Sequence, residues 1–188
     1  MWQTTRAAAL PDELGMDQDL SKCRRPRIGW TGVHRSSSTV TTFPSPTSMS
    51  PSSGSASTSG LTFTFQDAVS AGNLLTAWVL INTAIDGRSG CYVAFYRPGN
   101  QVFLYPDNGE GTQAISMVLS GSNSISNSQC VISSQGSSAV TSGAQLTLNL
   151  NITFKSGGFS GPKGVWAAVQ NGIGQVSSWL AQGAWMVP

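Results

Sequence analysis

The ten residues Gln145–Phe154, QLTLNLNITF, place an apolar side chain at every second position. Leu146, Leu148, Leu150, Ile152 and Phe154 fall on one side, and Thr147, Asn149, Asn151 and Thr153 on the other. Only an extended strand has this period of two, and the wet second face implies an antiparallel sheet with one side on a core. Leu61–Phe65 (LTFTF) repeats the pattern in short form. Cys91–Tyr96 and Gln101–Tyr105 flank Arg97–Asn100 (RPGN), whose Pro-Gly pair predicts a tight turn. Thr76–Asn82 (TAWVLIN) is apolar on both sides and predicts a central strand.

Further strands are predicted at Ala114–Leu119, Gln129–Ser133, Val165–Gln170 and Ala184–Val187. Turn-rich clusters at 106–111, 120–124 and 156–164 separate them. Gly172 and Gly174 allow Asn171–Leu180 no more than one helical turn. Eight or nine short strands without a convincing helix predict an all-β domain, an antiparallel β-sandwich or a barrel. Phe63, Phe65, Trp78, Phe95, Phe103, Phe154 and Trp166 are its predicted core fillers.

The charges divide the chain. Residues 1–35 hold six of the ten Lys and Arg and four of the eight Asp and Glu, together with Cys23 and the single His34. They show no sustained period and no export signal. In residues 36–60, 16 of 25 are Ser or Thr, too little apolar surface to offset the entropy of ordering. Residues 1–57 are therefore expected to be a disordered segment and Ser/Thr/Pro-rich linker, and residues 58–188 the folded domain. A net charge of +2 argues against nucleic acid as a partner. The longest apolar run, Leu74–Ile81, is too short to insert in a membrane as a helix.

Catalysis is not expected. The predicted domain contains no His, and no nucleophile elbow joins a strand to a helix. Asp107 and Glu110 are the only acids close in sequence there, and the bland explanation is a solvated PDNGEG turn. Asp107, Asn108 and Glu110 form a weak metal candidate through oxygen ligands, falling short of an EF-hand loop. No cofactor is implied. The basic run Lys22–Arg27 and the sequon Asn151-Ile152-Thr153 are weak signals for phosphate binding and glycosylation.

Cys91 and Cys130 each fall in a predicted strand, and a bridge would close a 39-residue interval; two buried free thiols are the alternative. Tyr92, Tyr96, Tyr105, Trp179 and Trp185 are the aromatics left over for binding, unless Trp179 and Trp185 seal one end of the sandwich.

The segments SPSSGSASTSGLTFTF, CYVAFYR, NSQC, LTLNLNITF and the terminal GAWMVP resemble an uncharacterised immunoglobulin-like module. That module recurs in secreted and cell-surface proteins of acidobacteria and other environmental bacteria. The resemblance covers residues 50–188. It implies an immunoglobulin-like sandwich, bridged at Cys91 and Cys130, acting as an accessory unit of larger exported proteins. It brings no activity and no functional residues. In antibody domains a Trp lies between the two cysteines, whereas Trp78 precedes both. The functional expectation is a non-catalytic extracellular spacer. The alternatives are an adhesion module binding polysaccharide or protein through exposed aromatics, and the subunit of an extracellular filament. Oligomeric state is open.

Overall fold

The computed structural model describes residues 43–188. Cys23, His34 and Lys22–Arg27 lie outside the described residues. The described residues form twelve strands: β1 (Ser45–Ser50), β2 (Ser53–Ser55), β3 (Thr58–Gln66), β4 (Leu74–Asn82), β5 (Cys91–Tyr96) and β6 (Gln101–Leu104), then β7 (Ile115–Val118), β8 (Ser124–Ser126), β9 (Cys130–Ser142), β10 (Gln145–Phe154), β11 (Gly161–Asn171) and β12 (Leu180–Val187). They form two facing sheets, β1-β3-β10-β9-β8 and β2-β12-β11-β4-β5-β6-β7. All pairings are antiparallel except β2 with β12.

The sandwich expected from alternation is therefore present. The order β1-β3-β10-β9 facing β12-β11-β4-β5-β6 is the A-B-E-D and G-F-C-C′-C″ order of a variable-type immunoglobulin domain. Two features depart from that plan. The Cys91–Cys130 disulfide joins β5 to β9, the C′ and D positions, with a Cα separation of 5.6 Å, where antibody domains bridge B to F. Trp78 on β4 points away from the core, where the antibody tryptophan points in.

Strand parity builds the core. Leu61, Phe63 and Phe65 of β3 and Leu146, Leu148, Leu150, Ile152 and Phe154 of β10 pack against Ala77, Val79 and Ile81 of β4 and Val165, Ala167 and Val169 of β11. Of the predicted fillers, Phe63, Phe65, Phe95 and Phe154 are buried there. Trp78, Phe103 and Trp166 are not: they lie on the outer face of the seven-stranded sheet, partly exposed. The cause is the two-sided hydrophobicity of β4 and β11. Small inward residues, Ala77 and Ala167 among them, leave the bulky ones on the opposite parity.

The expected boundary at residue 58 falls too late. Met49 is buried, and β1 pairs along β3 from Ser45 to Ser50. Trp185 explains β2: its indole Nε1 donates to the Ala56 carbonyl at 3.0 Å, and its ring lies on Gly54. A Cβ at Gly54 would sit 2.5 Å from that ring, so glycine permits the approach. Side-chain composition misses such strands, because backbone pairing to a preformed sheet supplies what the side chains lack. Two further strands were longer or newer than expected: β8 emerges from the 120–124 turn cluster, and β9 runs to Ser142 across a bulge opposite Asn149–Asn151. At the bulge Ser137 Oγ accepts from the Asn151 amide, and the sequon's Asn151 Nδ2 donates to the Gln135 carbonyl. Residues 156–164 also divide, since Gly161–Gly164 opens β11.

Buried polar ties hold the layers where the core ends. The Asp67 carboxylate accepts from the amides of Val69 and Ser70 and from the side chains of Asn73 and Asn171. Burial pushes its carboxyl up, but these four bonds outweigh it and hold it below the ordinary value. Asp86, exposed at the β4–β5 turn, is held at about 2 by its hydrogen bonds from Arg88.

Two outcomes are expected. Replacing both cysteines by alanine, Cys91→Ala with Cys130→Ala, should cost about 3–4 kcal/mol in denaturant unfolding, from the entropy of closing the 39-residue interval. Asp67 and Asp86 have folded pKa values below their unfolded ones. Their stabilisation is complete above the unfolded carboxyl range near about 4 and disappears as pH falls through the folded values. Urea midpoints at pH 7 and pH 2 should accordingly differ less for Asp67→Asn than for the wild-type chain.

Candidate functional site

The register of the seven-stranded sheet aligns its outward residues in rows across the strands. One row runs Trp166 on β11, Leu80 on β4 and Tyr92 on β5. The next runs Ala168, Trp78, Ala94 and Phe103, the last on β6. A third runs Gln170, Thr76, Tyr96 and Gln101. Large and small side chains alternate in the middle row, so each bulky ring stands beside a methyl group. Leu80, Ala94 and Ala168 are at most 5% exposed although they face outward, because the aromatic layer covers them. Trp166 leans along its strand over Gly164.

Tyr105, directly after β6, joins the first row. Its amide donates to the Tyr92 carbonyl at 2.9 Å, and its ring stacks on Tyr92 with centroids 3.9 Å apart and planes 15° from parallel. Trp179 meets Tyr92 edge-on at 5.9 Å. Burial, and the neighbouring Tyr105, push the Tyr92 phenol well above its ordinary value. These contacts make Tyr92 the anchor of the layer, with Tyr96 more open at 37% exposure.

A depression of about 340 Å³ lies on this face, with Ala94 among its lining residues and Trp78, Phe103, Tyr96 and Tyr105 around it. Thr76 and Gln101 add polar groups, and Gly111 and Ala114 contribute from the β6–β7 connection. None of its lining residues is charged. The nearest guanidinium on this sheet end, Arg97, is committed to the carbonyls of Leu74 and Gly72.

Of the five expected binding aromatics, Tyr92, Tyr96, Tyr105 and Trp179 belong to this face or its margin. Trp185 does not. It is 4% exposed, on the inner side of β12, with its ring 6.4 Å from Phe154. It belongs to the core cluster and not to this face. The residues missed as site components are Trp78, Phe103 and Ala94. The signal for them was available in parity: once Cys91, Val93 and Phe95 point inward, Tyr92, Ala94 and Tyr96 must point out, and their cross-strand partners with them.

A larger cleft of about 630 Å³ opens between the Asp107 turn, the β8–β9 turn and Lys155. Most of its polar side chains are already hydrogen-bonded within the turns. Asp107 accepts from the Ser128 amide and hydroxyl, Asn108 Oδ1 accepts from the Glu110 amide, and Lys155 Nζ donates to the Asn127 carbonyl. Asn127 Nδ2 in turn donates to the carbonyls of Gly90 and Tyr105, while its Oδ1 accepts from the amides of Gln129 and Cys130. This asparagine thus fastens the β8–β9 turn to the seven-stranded sheet beside the disulfide. Of the weak metal candidates, Asp107 and Asn108 are turn-forming groups and Glu110 enters the turn through its amide; Gly109 has φ +76°, and its amide closes the turn on the Pro106 carbonyl. Among the described residues no three His, Cys, Asp or Glu side chains gather as a metal site, and no helix is long and apolar enough to cross a membrane.

No known family, curated protein or solved structure matches the chain.

An absorbance titration of the phenols tests the anchoring of Tyr92. One of the three tyrosines should stay protonated beyond the ordinary phenol range near about 10, and Tyr92→Phe should remove that late-titrating component.

Proposed function

We propose that the chain is a non-catalytic, extracellular immunoglobulin-like module that binds a neutral polysaccharide on the outer face of its seven-stranded sheet. The observation that carries this reading is the uncharged aromatic depression around Ala94, built from strands and the β6–β7 connection. Aromatic rings presented on a rigid scaffold suit the apolar faces of sugar rings, and neighbouring amide and hydroxyl groups suit their hydroxyls. The missing charge around the depression favours a neutral ligand over uronic-acid or phosphate-bearing polymers.

A pure spacer leaves this layer without a purpose, since a sheet facing water is normally polar on that side. A filament built by edge pairing is disfavoured by the edges themselves. β1 carries Pro46 and a bulge, and β2, β7 and β8 are only three or four residues long. Placement outside the cell draws support from the disulfide, which persists in oxidising compartments, and from the resemblance to secreted modules. The non-catalytic reading draws on Asp67, Asp107, Lys155 and Lys163 being held in turns and layer ties.

The test is retention of the full chain on insoluble neutral polysaccharides, followed by Trp78→Ala and Tyr96→Ala variants whose fold is checked by circular dichroism. Each substitution should weaken binding at least tenfold, the loss typical of a central aromatic contact, about 1.4 kcal/mol or more. A wild-type chain retained by no neutral polysaccharide would return the molecule to the spacer reading.

A further inference from the structure

The apolar side chains that meet solvent are not spread evenly over the sandwich. Phe43, Val69, Ile173, Val176 and Leu180, five of the eleven large exposed hydrophobics among the described residues, stand at one end, where β3 and β11 finish and β4 and β12 begin. Val69 and Ile173 are each 81% exposed. Single exposed hydrophobics are ordinary, whereas a cluster of them marks an interaction site. We propose that this end is a self-association surface, on which a second copy of the chain docks about a two-fold axis. The proposal goes beyond the polysaccharide reading and does not depend on it.

The polar groups at this end are turned inward. Of the eight charged residues between 43 and 188, only Asp67 and Arg97 lie here. Asp67 is buried in its tie to Asn73 and Asn171, and the Arg97 guanidinium donates to the Leu74 and Gly72 carbonyls. The same region fixes the two connections that carry the tips. The Val69 amide donates to Asp67 Oδ1. On either side of Ile173, the Gly172 amide donates to the Asn73 carbonyl and the Gly174 amide to the Asn171 carbonyl. Aliphatic tips on a backbone already held in place lose little further freedom on docking, so most of the gain from burying them counts toward association.

The same end also offers what such tips would enter. A groove of about 500 Å³ is lined by Phe43 and Pro44 from one segment and by Val176 and Leu180 from another. A smaller hollow of about 250 Å³ shares Phe43 as a wall and reaches Gln66 and Ala68. No charged residue lines either. Two aliphatic tips and two uncharged hollows on one surface are self-complementary: in a two-fold pair, the tips of each copy enter the hollows of the other. An end without free charge also meets its own copy with no like-charge repulsion. A lipid surface suits it less, because docking on a bilayer draws on Lys or Arg beside the apolar residues, and Arg97 is committed to carbonyls. Two-fold pairing closes at two copies. The opposite end does not extend it, since the other six charged residues lie toward that end.

Sedimentation equilibrium of the full chain, carrying Cys23→Ser so that no bridge between copies counts, tests the proposal from about 1 μM to about 1 mM. The mass should rise from one copy to two across the series and stop there. Val69→Asp and Ile173→Asp should each weaken pairing at least tenfold, as expected of central apolar contacts, with thermal melting reporting the fold. Ile85→Asp, at a side chain 55% exposed at the opposite end, should leave pairing unchanged. One copy at every concentration, or pairing that survives both tip substitutions, would overturn the proposal. Flotation of a single-copy chain with phosphatidylcholine vesicles, lost in Val69→Asp and Ile173→Asp, would overturn it too and give this end to lipid. None of these outcomes bears on retention by polysaccharide, so the two readings fail separately.

Discussion

Burial of Ala77, Val79 and Ile81 against the five-stranded sheet determines where every other residue of β4 points, and through pairing it determines the outward rows of β5, β6 and β11. Slippage by one residue would turn Trp78 and Leu80 into the core and the valine and isoleucine to water. The apolar interior therefore acts at a distance on the outer face. The aromatic layer is the obligatory other half of an alternation whose first half is the core. What is unusual is that both halves are apolar, so that β4 carries a buried leucine, Leu80, on the side that faces solvent.

The layers are joined by few but specific ties. The disulfide and the Asn127 side chain lie at one end of β5, where Asn127 reaches Gly90 and Tyr105 from the turn that precedes Cys130. Asp67 does comparable work elsewhere, gathering the β3–β4 connection and the end of β11 through Asn73 and Asn171. A buried amide or carboxylate of this kind stabilises only while all its partners are present, because each unmet group costs more than a made bond contributes. Lys163 is a milder case. Burial lowers its ammonium pKa, and it is held by the Ser160 carbonyl and the Phe159 ring.

Much of this was legible in the chain and some of it was not. The strand at Gln145–Phe154 announced itself because its outward residues are Thr and Asn, so polarity alone marks the faces. The cysteine pair was legible because each residue fell in a strand of readable parity. β1 and β2 were hidden, since Ser, Pro and Gly signal a linker when only side chains are counted, and their order comes from backbone pairing and the Trp185–Ala56 bond. Trp78, Phe103 and Trp166 were misplaced in the core because hydrophobicity names a residue's preference and not the face it occupies. Trp185 was misplaced in the opposite direction, to the surface, because its neighbour β2 was invisible.

Cys91 stands one residue before the Tyr92 anchor and three before Ala94, on the same strand. The covalent link to β9 therefore fastens the very strand that carries Tyr92, Ala94 and Tyr96 on the outer face. Any pull on β5 is thus shared between its hydrogen-bonded neighbours and, through the sulfur–sulfur bond, the opposite layer.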